Sequence, residues 1–137
     1  FDNLTFADVI QVKLGTTEDW VIRNATSVYA GAPRNEQHPF HIHVNDFAVV
    51  ETGDWDPLTN ETSNRVRVTP RSVADTVNVP WNAYVRFRTH FADFVGRSVF
   101  HCHLLFHEDH GMMGVFDIVD AQGKGAGPDQ RLPTHSH

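Results

Sequence analysis

The chain has 137 residues, a formal net charge of −6 with histidine neutral, and 40% hydrophobic residues. A chain of this length is expected to form one domain that buries about two thirds of the surface its unfolded form exposes. Its acidic balance, without clustered Lys and Arg, disfavours nucleic acid as a partner. No stretch is apolar for long enough to predict a membrane span, and no signal peptide is expected.

Seven segments alternate in polarity or are rich in β-branched and aromatic residues, which predicts β-strands. In chain order they are residues 6–14, 19–25, 47–51, 75–79, 84–89, 98–102 and 114–120. Many short strands without a convincing amphipathic helix indicate an all-β sandwich. We interpret residues 1–122 as this domain, residues 123–137 as a mobile tail, and the polar segment from Thr52 to Arg71 as an exposed loop.

The segment HCHLLFHEDHGMM, residues 101–113, is rich in side chains that bind copper. If a strand enters this motif, His101 and His103 point to one face and Cys102 to the other. One tripeptide can therefore serve two metals. A thiolate with two imidazoles and a weak axial thioether makes the trigonal blue-copper site used for electron transfer, and the residues available beside the thiolate are His38, His107 and Met112.

The segment HPFHIHVNDF, residues 38–47, repeats the same alternation. His41 and His43 form a second imidazole pair that shares one face. Together with His101 and His103, they predict a second copper centre built from four imidazoles. Cupins and metallo-β-lactamases also use an HxH pair, but the glutamate, aspartate and histidine that complete their sites are missing here, and neither class has a role for Cys102 between two histidines.

The two segments resemble the HPxHxH and HCHxxxHxxxxM motifs of the C-terminal cupredoxin domain of multicopper oxidases, the laccase and cuprous oxidase group. Residues 78–103 resemble the family's approach to the second motif less specifically. The resemblance implies a Greek-key cupredoxin sandwich. To the type 1 copper it assigns His38, Cys102, His107 and the axial Met112, with Met113 as the alternative. To the type 2 copper it assigns His41, and to the type 3 pair His43, His101 and His103.

The resemblance also implies a function. A laccase-like oxidoreductase takes electrons from a phenolic or similar substrate at the type 1 copper, through His107, and passes them by way of Cys102 to a trinuclear site that reduces O2 to water. Glu108 matches an acidic position that many bacterial members use as a general acid, although an ordinary surface glutamate fits equally well. Members of the family generally act in the periplasm or outside the cell, where we expect this chain.

Four imidazoles are too few for a three-copper cluster. In the family, the remaining ligands come as HxH pairs from an N-terminal cupredoxin domain. We therefore expect this chain to be the C-terminal domain of a larger oxidase or to share its cluster with a neighbouring subunit. His135 and His137 form a further HxH pair, but an irregular tail rarely holds ligands in a fixed geometry.

Two other functions remain open from the sequence. The first is a stand-alone cupredoxin that carries electrons without oxygen chemistry, against which the four additional imidazoles argue. The second is a zinc-binding or structural β-domain. A visible thiolate-to-copper absorption band that depends on Cys102 distinguishes copper from zinc.

Overall fold

The computed structural model describes residues 9–25, 35–70, 72–104 and 113–125. These ranges contain nine β-strands and no helix, so the all-β prediction is confirmed. The strands are β1 (Ile10–Lys13), β2 (Thr17–Arg23), β3 (His38–Ile42), β4 (Phe47–Asp56), β5 (Glu61–Arg67), β6 (Thr76–Val79), β7 (Ala83–His90), β8 (Gly96–Cys102) and β9 (Met113–Val119). Within the described ranges, nothing helical is long and apolar enough to cross a membrane.

The strands form two sheets that pack as a sandwich. One sheet has the order β1-β9-β8-β3-β6 and the other the order β2-β7-β4-β5. The β1–β9 pair is parallel, and the remaining pairs are antiparallel. Successive strands mostly cross from one sheet to the other, which is the connectivity of a Greek-key sandwich. The consequence for function is that β3 lies between β6 and β8, so the two histidine motifs become neighbours.

Aromatic side chains fill the space between the sheets. Phe47, Phe87 and Phe116 are almost completely buried, and the Phe47 and Phe87 ring centroids are 4.3 Å apart. Trp20 of the second sheet packs edge-on against Phe116, with their ring centroids 5.5 Å apart. Burying one such side chain contributes about 1.5–3 kcal/mol. This aromatic core fixes the separation of the sheets and supports the strand that leads to Cys102.

The segment from Thr52 to Arg71, which the sequence predicts as a loop, is mostly a β-hairpin, so that prediction was wrong. β4 continues to Asp56, and β5 returns beside it from Glu61 to Arg67. β5 is an edge strand with nearly every side chain exposed. Because neither of its faces is buried, its sequence lacks the apolar alternation that marks a strand. The predicted strands also omitted β3, which is formed by the first histidine motif itself.

Candidate metal centre

The pairing of β3 with β8 decides which side chains share a face. Phe40 lies opposite Cys102, and His41 lies opposite His101. Residues that are directly opposite in an antiparallel pair point to the same side, and their neighbours in sequence point to the other. Cys102 therefore lies on the inner side of the sheet, towards the core, and His101 lies on the outer side. This is the two-sided arrangement that strand alternation predicts.

On the inner side, Cys102 lies beside His38. The Sγ atom is 3.7 Å from Nδ1 of His38, and the cysteine is only 6% exposed. A metal with bonds of about 2.3 Å to sulfur and about 2.0 Å to nitrogen can hold two such donors up to about 4.3 Å apart. The two atoms are thus close enough to bind one ion.

Three of the residues predicted for this side lie outside the described residues: His107, Glu108 and Met112. The alternative axial residue, Met113, is described. It lies opposite His101 at the start of β9, so its backbone position directs it to the outer side of the sheet and away from the Cys102 sulfur. This register is unfavourable for Met113 as an axial ligand of a metal at Cys102.

A cavity of about 260 Å³ is lined by Cys102 and His38. Its walls are mainly apolar, with Phe40, Phe100 and Val79 among them. Apolar walls exclude water, which lowers the local dielectric and affects the redox potential of a bound metal.

Asn24 is a buried polar residue in the same wall, and sequence reasoning did not find it as a positioning residue. It is 3% exposed, and its Nδ2 donates hydrogen bonds to the carbonyl oxygens of Glu36 at 2.9 Å and Val79 at 3.2 Å. These bonds tie the end of β2 to the chain that enters β3 at His38. Asn24 therefore helps to fix where His38 lies relative to Cys102, and its only signal in the sequence is an N-x-T tripeptide.

On the outer side, the structure brings all four predicted imidazoles together. The Nε2 atoms of His43 and His101 are 2.9 Å apart, and potential ligand atoms of His41, His43 and His101 lie within 4.8 Å of one another. The ring centroid of His41 is 4.8 Å from that of His43, 5.2 Å from that of His101 and 5.3 Å from that of His103. We call these four residues the outer cluster.

The surroundings of His41 favour its neutral imidazole. Burial lowers the pKa of His41, because the charged form loses solvation, while the nearby Asp75 carbonyl opposes part of that effect. A neutral imidazole is the form that binds a metal. His101 is buried, with Nδ1 2.9 Å from the carbonyl oxygen of Cys102. Since a carbonyl can only accept, this Nδ1 carries the proton and the lone pair of His101 is on Nε2.

Both groups of residues fit copper by the chemistry of their donors. Thiolate and imidazole are ligands that copper binds strongly, and a thiolate with imidazoles is the donor set of electron-transfer copper sites. The inner site has a thiolate with an imidazole, whereas the outer cluster has imidazoles alone. The Cys102 and His101 side chains, adjacent in sequence, belong to different sites.

Comparison with known proteins gives a consistent result. The sequence profile described as multicopper oxidase matches residues 2–122. The laccase of Bacillus subtilis (strain 168) is 32% identical over 117 residues, which cover 79% of this chain and 21% of that protein. The bilirubin oxidase of Albifimbria verrucaria is 32% identical over 123 residues, covering 86% of this chain and 19% of that protein.

Solved structures show the same likeness. A multicopper oxidase from Campylobacter jejuni, a metallo-oxidase, superposes with a TM-score of 0.64 at 33% identity, over 80% of this chain and 20% of that one. A laccase from Pediococcus acidilactici gives a TM-score of 0.61 at 30% identity, over 81% of this chain and 21% of that one. The chain thus spans about a fifth of the length of the relatives it matches.

Proposed function

The chain belongs to the multicopper oxidase family, and from this premise we propose that it forms a copper-binding domain of an oxidase that transfers electrons from a reducing substrate to dioxygen. The observation that carries the proposal is the division of one tripeptide between two sites. Cys102 Sγ lies at His38 on the inner side, while the next residue back, His101, contacts His43 on the outer side.

In this proposal, His38 and Cys102 hold the type 1 copper together with His107 and Met112. The outer cluster provides ligands to the other coppers: His41 to type 2, and His43, His101 and His103 to the type 3 pair. Copper, when bound, supplies one-electron redox chemistry at each site. Glu108 is proposed as the proton donor to the oxygen site, since it matches the acidic position that many bacterial members of the family use as a general acid.

The connection between the two sites is short and made of the chain's own atoms. Cys102 and His101 are joined by a peptide bond. In addition, His101 Nδ1 donates a hydrogen bond of 2.9 Å to the carbonyl oxygen of Cys102. The cysteine backbone therefore contacts the imidazole ring directly. A simple electron carrier has no use for such a link, so a stand-alone cupredoxin is not favoured.

We also propose that a partner completes the outer cluster. This chain contributes four imidazoles, and one of them, His103, is exposed to solvent in the isolated chain. Val44 and Leu104, which directly follow His43 and His103, expose 36% and 44% of their surfaces. Apolar side chains beside an open ligand cluster favour burial against another protein surface. An N-terminal cupredoxin domain or a neighbouring subunit would supply the further histidines.

The substrate class and the location are proposed on the family's general behaviour. Relatives named as laccases and a bilirubin oxidase are compatible with a phenolic or similar small reductant. A periplasmic or extracellular location is the usual one for this type of oxidase.

The test of the proposal is copper loading of the full chain. We expect an intense visible thiolate-to-copper band that Cys102→Ser abolishes. His43→Ala should keep the band but reduce the copper bound per chain, because it removes an outer ligand only. His90→Gln is the matched control, since His90 is an exposed histidine bound to Thr17 and not a member of either site. A colourless copper-loaded protein would contradict the proposal.

The need for a partner has its own measurement. The native mass and the copper content per chain should show either a monomer with an incomplete set of coppers or an oligomer that approaches four per chain. A monomer of the 137-residue chain that by itself reduces dioxygen to water at a sustained rate would contradict the partner proposal.

A further inference from the structure

Two oxygen atoms lie within hydrogen-bond distance of Nδ1 of the His41 imidazole. Its Nδ1 is 3.0 Å from the carbonyl oxygen of Asp75 and 3.0 Å from the hydroxyl Oγ1 of Thr76. The contact is built into the sheet, because His41 lies directly opposite Thr76 in the β3–β6 pair. The side chain is only 17% exposed, so water does not readily replace these partners.

The hydrogen atoms in this contact can be assigned from the chemistry of the partners. The Asp75 carbonyl can only accept a hydrogen bond. The Thr76 hydroxyl donates its own proton to the Asp75 carboxylate at 2.9 Å, which leaves a lone pair of Oγ1 towards His41. Both oxygens facing the ring are therefore acceptors. The Nδ1 atom of His41 must carry the proton, and the lone pair of the neutral ring is on Nε2.

Because Nδ1 is occupied by the Asp75 and Thr76 oxygens, Nε2 is the ring nitrogen of His41 that is left for a metal at the outer cluster. The centroid of the His41 ring lies 4.8–5.3 Å from the centroids of the other three imidazoles. A ring with its lone pair on that side is ready to bind a metal, whereas the opposite tautomer would present an N–H group to the metal. Oxygen partners that fix a histidine's tautomer are a known determinant of metal affinity.

We infer that Asp75 and Thr76 are positioning residues, which hold His41 as the Nδ1–H tautomer so that its Nε2 is preset as a ligand of the outer cluster. The inference rests on the proposed function, because only a metal at the outer cluster gives this tautomer a role. The Asp75 carboxylate orients the Thr76 hydroxyl by accepting its proton, and the hydroxyl oxygen in turn accepts from His41. The Asp75 carbonyl accepts from His41 directly. Neither residue is in either histidine motif, so the sequence alone did not indicate them.

The experiment has two readouts, and one of them needs no metal. The first is long-range ¹H–¹⁵N NMR of the metal-free chain, which reports which ring nitrogen of each histidine is protonated. The second is Cu²⁺ binding to the outer cluster, measured in a Cys102→Ser background so that the inner thiolate does not contribute. The variants are Thr76→Val, which removes the hydroxyl acceptor, and Thr76→Ser, which keeps it.

The matched control is Thr17→Val. Thr17 Oγ1 is 2.9 Å from Nδ1 of His90, so the substitution removes the same kind of contact from a histidine outside the outer cluster. It should leave Cu²⁺ affinity and the tautomer of His41 unchanged.

We expect His41 to be the Nδ1–H tautomer in the unsubstituted chain. Thr76→Val should raise the population of the Nε2–H form and weaken Cu²⁺ binding about 10-fold, the lower end for loss of such a partner, because the Asp75 carbonyl remains. Thr76→Ser should restore both values. If His41 is already the Nε2–H tautomer without substitution, or if Thr76→Val changes neither tautomer nor affinity, the inference is wrong.

The outcomes separate this inference from the function on which it rests. If the Cys102→Ser chain binds no Cu²⁺ while His41 is still the Nδ1–H tautomer, the outer copper site is refuted and the hold of Thr76 on the ring is supported. If Thr76→Val does not fold, as judged by its amide NMR spectrum, the tautomer in the unsubstituted chain and in Thr76→Ser decides the question.

Discussion

Gly114 leaves room for the ring of Phe100, which lies two residues before Cys102 in β8. Gly114 is opposite Phe100 in the β8–β9 pair, and a Cβ at this position would lie 2.6 Å from Cε2 of that ring. The ring cannot move away freely, because its centroid is 5.9 Å from Trp20 and 5.7 Å from Phe40. Gly114→Ala should therefore force Phe100 out of its packing.

The expected cost follows from this overlap. Inserting a methyl group into a packed site costs about 1–3 kcal/mol, which for a domain of this size lowers Tm by roughly 3–12 °C. Phe100 also lines the cavity beside Cys102, so we expect weaker copper binding at the inner site as well. The assay is urea unfolding, with copper titration followed by visible absorption.

Two variants make this prediction decisive. Gly125→Ala is the control, because a Cβ there meets nothing within 4 Å, and it should change stability by less than about 0.5 kcal/mol. Phe100→Leu combined with Gly114→Ala should be more stable than the sum of the single losses, since the two residues are in contact. Strictly additive losses, or an unchanged stability of Gly114→Ala, would show that Gly114 and Phe100 are not in steric contact.

Three further results are expected. Phe87→Ala, at a fully buried ring, should lose about 3–5 kcal/mol of unfolding free energy in urea. The pKa of Glu51 is lowered because Tyr84 donates a 2.6 Å hydrogen bond to its carboxylate, so this bond stabilises the fold above the usual carboxyl range and is lost as pH falls through the folded-state pKa. Tyr84→Phe should therefore reduce the loss of unfolding free energy as the pH is lowered from about 5 to below the usual carboxyl range, and an unchanged loss would contradict this. Removing copper from the loaded chain with a chelator should lower both Tm and the free energy of unfolding. The loss of free energy should be about 2.7 kcal/mol if copper was present at 100 times its Kd. An identical Tm with and without copper would contradict specific binding to the folded state.

The sequence predicts the site better than it predicts the sheet that carries it. Ligand residue types and their spacing are local properties, and strand alternation is enough to place Cys102 and His101 on opposite sides. The edge strand β5 escaped prediction because its side chains are nearly all exposed. With no buried face, nothing constrains them to alternate.

The positioning residues escaped prediction for a different reason. Asn24 contacts Glu36 and Val79 across 12 and 55 residues of sequence, and the Asp75 and Thr76 oxygens reach His41 across 34 and 35 residues. Such contacts depend on which strands pair and in what register, and a short motif does not contain that information. The β3–β6 and β3–β8 registers are what the structure adds to the histidine motifs.

Anomalous diffraction at the copper edge from crystals of the copper-loaded chain would show whether Cys102 and His101 bind metals on opposite sides of the sheet. We expect copper peaks on both sides of the sheet: one bonded to the Cys102 sulfur and His38, and at least one other bonded to Nε2 of His41 or His101 on the opposite side. A single peak bonded to both the Cys102 sulfur and a histidine of the outer cluster would contradict it.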